Sequence, residues 1–230
     1  MSLSLLLALP PVSIGFTLVA YLIGHRLHLR WHWIPSIVVA ASLLICLLLA
    51  LHEPFAVFNR GGGWVTWLLG PATVALAIPM FRNSLALRAS LPRLAVVVFI
   101  GSMVGMASAG LTAWALGAPH EVVMSTLPKS VTTPIAIEVS KELGGVPAIT
   151  IAMVILTGVL GASFGVPVIR VLGIGSARAI GAAVGTASHG VGTASLLRRS
   201  EREAAVASWA MAAAGIFTSL AAAVLKFFWK

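Results

Sequence analysis

Apolar residues along this chain fall into eight long runs, near positions 4–24, 34–51, 64–81, 92–117, 122–140, 147–172, 178–197 and 204–228, with short polar gaps between them. Each run is close to the roughly 20 residues that an α-helix needs to cross the hydrocarbon core of a bilayer. The pattern predicts an all-α polytopic membrane protein with about 7–8 membrane segments, one integral membrane domain spanning residues 1–230. The first run contains Pro10-Pro11, so its helix is expected only after them, where proline suits the first turn.

Two of the runs are not smooth. Leu127-Pro128-Lys129-Ser130-Val131-Thr132-Thr133-Pro134 places a lysine, three hydroxyls and two prolines inside 122–140. Gly185-Thr186-Ala187-Ser188-His189-Gly190-Val191-Gly192-Thr193-Ala194 does the equivalent with glycines and a histidine inside 178–197. Proline removes a backbone donor and glycine permits non-helical geometry, so both segments are expected to be broken or re-entrant. Irregular backbone at membrane depth survives only where protein buries it or where it lines a watery cavity. The two breaks are therefore expected to face each other across a polar site.

Composition agrees. Hydrophobic residues make up 59% of the chain and charged residues 9%, against about a quarter charged in soluble domains. The net charge of +9, from 15 Lys+Arg and 6 Asp+Glu, sits in the short gaps. It reads as membrane topology and not as a nucleic-acid surface. Arg26 to His32 and the group Arg82, Arg88 and Arg93 belong in the cytoplasm by the positive-inside rule, with the N-terminus outside. Beyond residue 120 the rule depends on the broken segments: Arg170 and Arg178 fall outside if both span fully, and inside if both are re-entrant, the reading preferred here. Cys46 stands alone in an aliphatic run and excludes an internal disulfide or a cysteine metal cluster. The N-terminus lacks a basic leader and a cleavage site, so it reads as an uncleaved first span.

A repeat is visible at an offset of 60. Gly70-Pro71-Ala72-Thr73 aligns with Ser130-Val131-Thr132-Thr133, and Gly101-Ser102-Met103-Val104-Gly105 with Gly161-Ala162-Ser163-Phe164-Gly165. Residues 64–117 and 124–173 are the corresponding units. Small residues at this spacing let helices approach closely in lipid and are also consistent with a homo-oligomer. Repeats with discontinuous helices point to a secondary-transporter site at their interface; chance similarity between Ala/Gly-rich spans is the alternative.

Lys129 is the charge with most to explain. It lies eight residues after Glu121, about 12 Å deep if that stretch is helical, and intramembrane charge is a functional-site hypothesis by default. Thr132 and Thr133 either return hydrogen bonds to backbone freed by the prolines or present hydroxyls to an anion, and the sequence does not separate the two. Glu138 and Lys141 read as interfacial. His189, among glycines, is a proton-coupling candidate because imidazole titrates near neutral pH. His25, His28, His32, His52 and His120 read as interfacial.

Leu69–Pro79, Leu127–Ala136 and Gly185–Ala194 resemble three ordered motifs of the LrgB/CidB family, from about Ile34 to the C-terminus. Phe81 stands where the family usually has Tyr, and Ser195 where it commonly has Arg, a charge that Arg198 or Arg199 is the candidate to replace. The resemblance implies a multi-pass protein of the bacterial cytoplasmic (inner) membrane, holin-like or antiholin-like, modulating murein hydrolase export and autolysis beside a smaller LrgA-like membrane partner. A plastid relative is described as a glycolate/glycerate transporter, and bacterial members have been linked to pyruvate. The substrate-site candidates are Lys129, Ser130, Thr132, Thr133, Thr186, Ser188, His189, Gly190 and Thr193, with Thr73 joining through the repeat. No cofactor and no metal is expected. A small-monocarboxylate carrier ranks first on the chemistry of the residues, a holin-like regulator first on the family's usual name. An intramembrane enzyme ranks last, because the chain has no Asp, no HExxH and no GxSxG.

Overall fold

The computed structural model describes residues 3–31, 36–83 and 88–228, with the side chains of Leu3, Thr66, Leu69 and Thr73, and Gly70, also outside the description. His32 lies outside the described residues. Among the described residues every regular element is helical, and the chain divides into two units, Met1–Ala75 and Leu76–Lys230.

In the first unit a short α1 (Leu3–Leu7) precedes α2 (Pro10–Arg30), which starts on the Pro pair as its sequence requires, and α3 (Ser36–Ala50) packs against it. A methyl group on Gly24 of α2 would lie 2.4 Å from the Ser36 carbonyl oxygen, so the contact exists only because that position has no side chain. α4 (Phe55–Gly62) closes over a small core of Leu7, Leu48 and Phe58. A 3-10 stretch, Gly63–Leu68, and α5 (Leu69–Ala75) complete the unit.

The second unit holds α6 (Ala77–Arg82), α7 (Leu91–Ala115), α8 (His120–Thr126), α9 (Thr133–Glu142), α10 (Pro147–Val171), α11 (Ala177–Leu197) and α12 (Glu201–Phe228). Arg82 pairs with Glu201 at 3.8 Å and Arg178 Nη1 donates to Ser90 Oγ at 3.0 Å, so α7, α11 and α12 start at one arginine-rich end. At the opposite end Lys226, in the last turn of α12, pairs with Glu142 at the end of α9. α10 runs back from that end towards the arginines.

Among the described residues four helices are long and apolar enough to cross a membrane: α2, α7, α10 and α12. This is fewer than the seven or eight segments expected from the runs. α3 is apolar and its described part has 15 residues, about 22 Å at 1.5 Å each. The run 64–81 is three short helical pieces, and 122–140 and 178–197 are interrupted.

The interruption of α11 is a reversal. His189 has φ 42° and ψ −140°, a conformation that costs a non-glycine residue about 1–3 kcal/mol and persists only where the surroundings impose it. Ile180, Val184 and Leu196 share one buried cluster, and a methyl on Gly192 would sit 3.0 Å from Val184 Cγ1. In a continuous helix Ile180 and Leu196 would be about 24 Å apart. The two arms of α11 therefore fold back on each other about Ser188–His189, and both ends of the element lie at the arginine-rich end. α8 and α9 form the counterpart: α8 begins near the end of α7, the chain turns over residues 127–131, and α9 returns to Glu142 beside Lys226.

Candidate functional site

The two turns meet at the middle of the long helices. Val131, in the first turn, is buried together with Ala136 and with Val154 of α10. His189, at the tip of the second, has its Nε2 3.0 Å from the Val154 carbonyl oxygen. One residue of α10 thus touches both interruptions, on its side chain from one and on its carbonyl from the other. Because a carbonyl only accepts, Nε2 carries the proton, and in the neutral ring Nδ1 holds the lone pair. Protonation at Nδ1 leaves the Val154 bond intact.

Tight backbone approach fixes the second turn. A methyl on Gly158 would lie 2.7 Å from the His189 ring, and one on Gly161 would lie 1.6 Å from Ser188 Oγ. Gly181 and Gly185 face the α12 backbone, with methyl positions 2.5 Å from the Glu203 carbonyl oxygen and 2.3 Å from that of Ala207. Thr193 Oγ1 donates to the His189 carbonyl at 2.7 Å, so this hydroxyl is committed to holding the reversal. Gly190 has space: the nearest atom to a methyl there is Met211 Sδ at 3.8 Å.

The first turn is held more loosely. Ser125 Oγ donates to the Glu121 carbonyl and accepts from Val146 N–H, and Thr150 Oγ1 donates to Ser140 Oγ, which ties α8 and α9 to the start of α10. Lys129 is half-buried, and its Nζ donates to Ser130 Oγ at 3.3 Å. Thr132 precedes α9 and Thr133 begins it, with no side-chain cap bond from Thr132. An apolar groove of about 1360 Å³ runs along α7, α8 and α12, bordered by Val123, Met124 and Leu127 of the first arm.

α7 joins the two motifs. Its Gly105 faces Ser130 Oγ, 3.8 Å from a methyl position, and its Gly101 faces Thr186 Cγ2 at 3.3 Å. Ser130 and Thr186 therefore bracket a single turn of α7. The Thr186 hydroxyl is buried without a hydrogen-bond partner, and so is that of Ser102, which lies in the same turn. Sequence reasoning took Ser102 for one of the small residues of a packing face and missed it as a polar group. It also had no means of finding the Val154 carbonyl, which every residue type supplies.

Two expectations fare differently. Thr73 belongs to α5 in the first unit and its side chain is outside the described residues. Arg198 and Arg199 do not replace a charge beside His189: they stand at the foot of the second arm, about 15 Å along it, where Arg199 Nε donates to Glu203 Oε2 at 2.9 Å. Ser195 Oγ donates instead to the Gly192 carbonyl. Among the described residues no group of three or more His, Cys, Asp or Glu is placed to hold a metal.

Among the described residues, four membrane-length apolar helices and two interrupted ones define an all-helical membrane protein. The LrgB-like family model matches residues 17–227, and the chain belongs to that family. It is 36% identical to the uncharacterized protein YwbG of Bacillus subtilis (strain 168) over 219 residues, 94% of this chain and 97% of that protein. It is 33% identical to the uncharacterized protein YxaC of the same strain over 211 residues, 90% of this chain and 91% of that one. The antiholin-like protein LrgB of Bacillus mycoides (strain KBAB4) is 32% identical over 212 residues, 91% of this chain and 92% of its own. No solved structure matches the chain significantly.

Proposed function

We propose that the second unit is a carrier of small monocarboxylates of the glycolate, glycerate and pyruvate class in the bacterial cytoplasmic membrane. The observation that carries this reading is the convergence of both interrupted segments on Val154. Paired discontinuous helices meeting at mid-depth are the usual build of a secondary-transporter site. The arginine-rich end, with Arg93, Arg170, Arg178 and Arg202, belongs in the cytoplasm by the positive-inside rule. α11 then enters from the cytoplasm as a re-entrant hairpin, and α8–α9 enters from outside. The Lys129 ammonium attracts the carboxylate, and the hydroxyls of Ser130, Thr132, Thr133, Thr186 and Ser188 are its candidate donors. Gly190 adds backbone N–H at the tip. His189 takes the coupled proton at Nδ1. The larger groove lies beside α8–α9 and a smaller one, about 340 Å³, beside the first arm of α11.

The test is uptake of pyruvate and glycolate by the purified protein in liposomes, with and without an inward proton gradient. Saturable, gradient-driven accumulation is the expected result; leakage of unrelated solutes of many sizes would instead identify a pore. Since the imidazolium exists only below the pKa of His189, its charge favours the anion there and uptake rises as pH falls through that value. His189→Gln keeps hydrogen bonding but cannot titrate, so its pH profile is expected to be flat. Profiles identical to wild type would remove His189 as the coupling group.

A second reading, an antiholin-like regulator of murein hydrolase export and autolysis, is favoured by the name of the Bacillus relatives. It brings with it an LrgA-like membrane partner and self-association through small-residue faces. Carboxylate flux that alters the proton balance across the membrane would make the two readings compatible.

A further inference from the structure

We propose that Ser102 is a substrate-positioning residue, supplied by a continuous span and not by either interrupted motif. This rests on the carrier reading. The buried stripe of α7 runs Leu94, Val98, Ser102, Met106 and Gly110, one residue every turn. Val98 packs on Ala210 and Ala214 of α12, and Met106 on Met124 and Leu127 of the outer hairpin. The position between them points inward at the depth where both hairpin tips arrive, yet it is a serine. The residue is 4% exposed, and its buried hydroxyl neither bonds back to its own helix nor has any other hydrogen-bond partner among the described residues. Serines in apolar helices ordinarily return that bond to a carbonyl three or four residues earlier, as Ser163, Ser208 and Ser219 do here. Ser102 declines it.

Thr186, 7% exposed and equally unpartnered, comes from the opposite hairpin against the same turn of α7. The Lys129–Ser130 pair abuts that turn four residues further on. One ammonium and two uncommitted hydroxyls around a single helical turn suit a small anion, each hydroxyl donating to a carboxylate oxygen. Ser102 holds the anion in register between the two tips, so its removal should act on affinity more than on turnover.

Pyruvate uptake in liposomes tests this with wild type, Ser102→Ala, Thr186→Ala and the double variant. A hydrogen bond to a charged group supports an increase of about 10- to 100-fold in the half-saturation concentration for Ser102→Ala, with maximal rate near wild type. The double variant should fall short of the product of the single effects, because both hydroxyls serve one ligand. Thermal stability in detergent should not drop, since the lost hydroxyl satisfied nothing; a purely structural serine would give the reverse pattern. Ser102→Cys in a Cys46→Ala background provides a second measurement: a charged methanethiosulfonate reagent should label it, and pyruvate should slow the labelling. No saturable pyruvate uptake by wild type would sink the carrier reading. Normal wild-type uptake with an unchanged Ser102→Ala, or with Ser102→Cys refractory to the reagent, would overturn the role of Ser102 alone.

Discussion

Lys129→Met is expected to reduce carboxylate uptake at low substrate by about 30-fold or more while leaving the protein folded. Truncating one partner of a buried, hydrogen-bonded charge pair costs about 2–5 kcal/mol, and each 1.4 kcal/mol is a factor of ten. Methionine keeps the stem, and among the described residues the ammonium it removes bonds only Ser130 Oγ, so folding is not expected to depend on it. Lys129→Arg restores charge but replaces a compact ammonium by a planar fork, and partial rescue is expected. Full activity in Lys129→Met would reduce the lysine to an interfacial anchor and remove the chief attraction for an anion.

Gly185→Ala is expected to be strongly destabilising. The added carbon would stand 2.3 Å from the Ala207 carbonyl oxygen and 2.7 Å from its Cα, atoms of the α12 backbone that no side-chain rotation can move. Overpacking of this kind costs about 1–3 kcal/mol, which for a chain of this size lowers the melting temperature by roughly 2–4 °C per kcal/mol. Loss of several degrees in detergent, with reduced yield, is the result to look for. Gly190→Ala, whose nearest neighbour is 3.8 Å away, is the matched control for stability. Equal melting temperatures for Gly185→Ala and Gly190→Ala would mean that the first arm of α11 does not lie as close to α12 as described.

The places where this chain departs from smooth helices were readable in the sequence, because proline and glycine act locally: Pro128, Pro134 and the glycines around His189 are breaks whatever surrounds them. Re-entrance is the reading preferred from the sequence, but which residue turns α11 was not readable. The positive φ falls on His189 and not on a neighbouring glycine, and only contacts such as Ile180 with Leu196 distinguish a reversal from a kink. Hydropathy reports how apolar a run is, not whether it continues in one direction, so the runs alone do not distinguish membrane-length helices from interrupted segments such as 122–140, 178–197 and the short pieces of 64–81. Of the candidate site, Lys129, Ser130, Thr186, Ser188 and His189 are brought to the same depth of the second unit, whereas Thr193 is spent on the His189 carbonyl. Ser102 was hidden because its neighbours Gly101 and Gly105 made it look like part of a packing seam.

The fold-back of both interrupted segments also bears on how the protein is inserted. Under the re-entrant reading each hairpin returns to the face it left, and α7, α10 and α12 alternate in direction as if neither hairpin were there. Replacing two crossings by two returns inverts α10 and the connections at its ends: residues 143–146 and 172–176 change sides, and the C-terminus does not. A tag at the end of the chain is thus blind to the difference, and insertion machinery that mistook a hairpin for a crossing would need a second, compensating mistake to place α12 correctly. Under that reading the two breaks are parity partners in the topology.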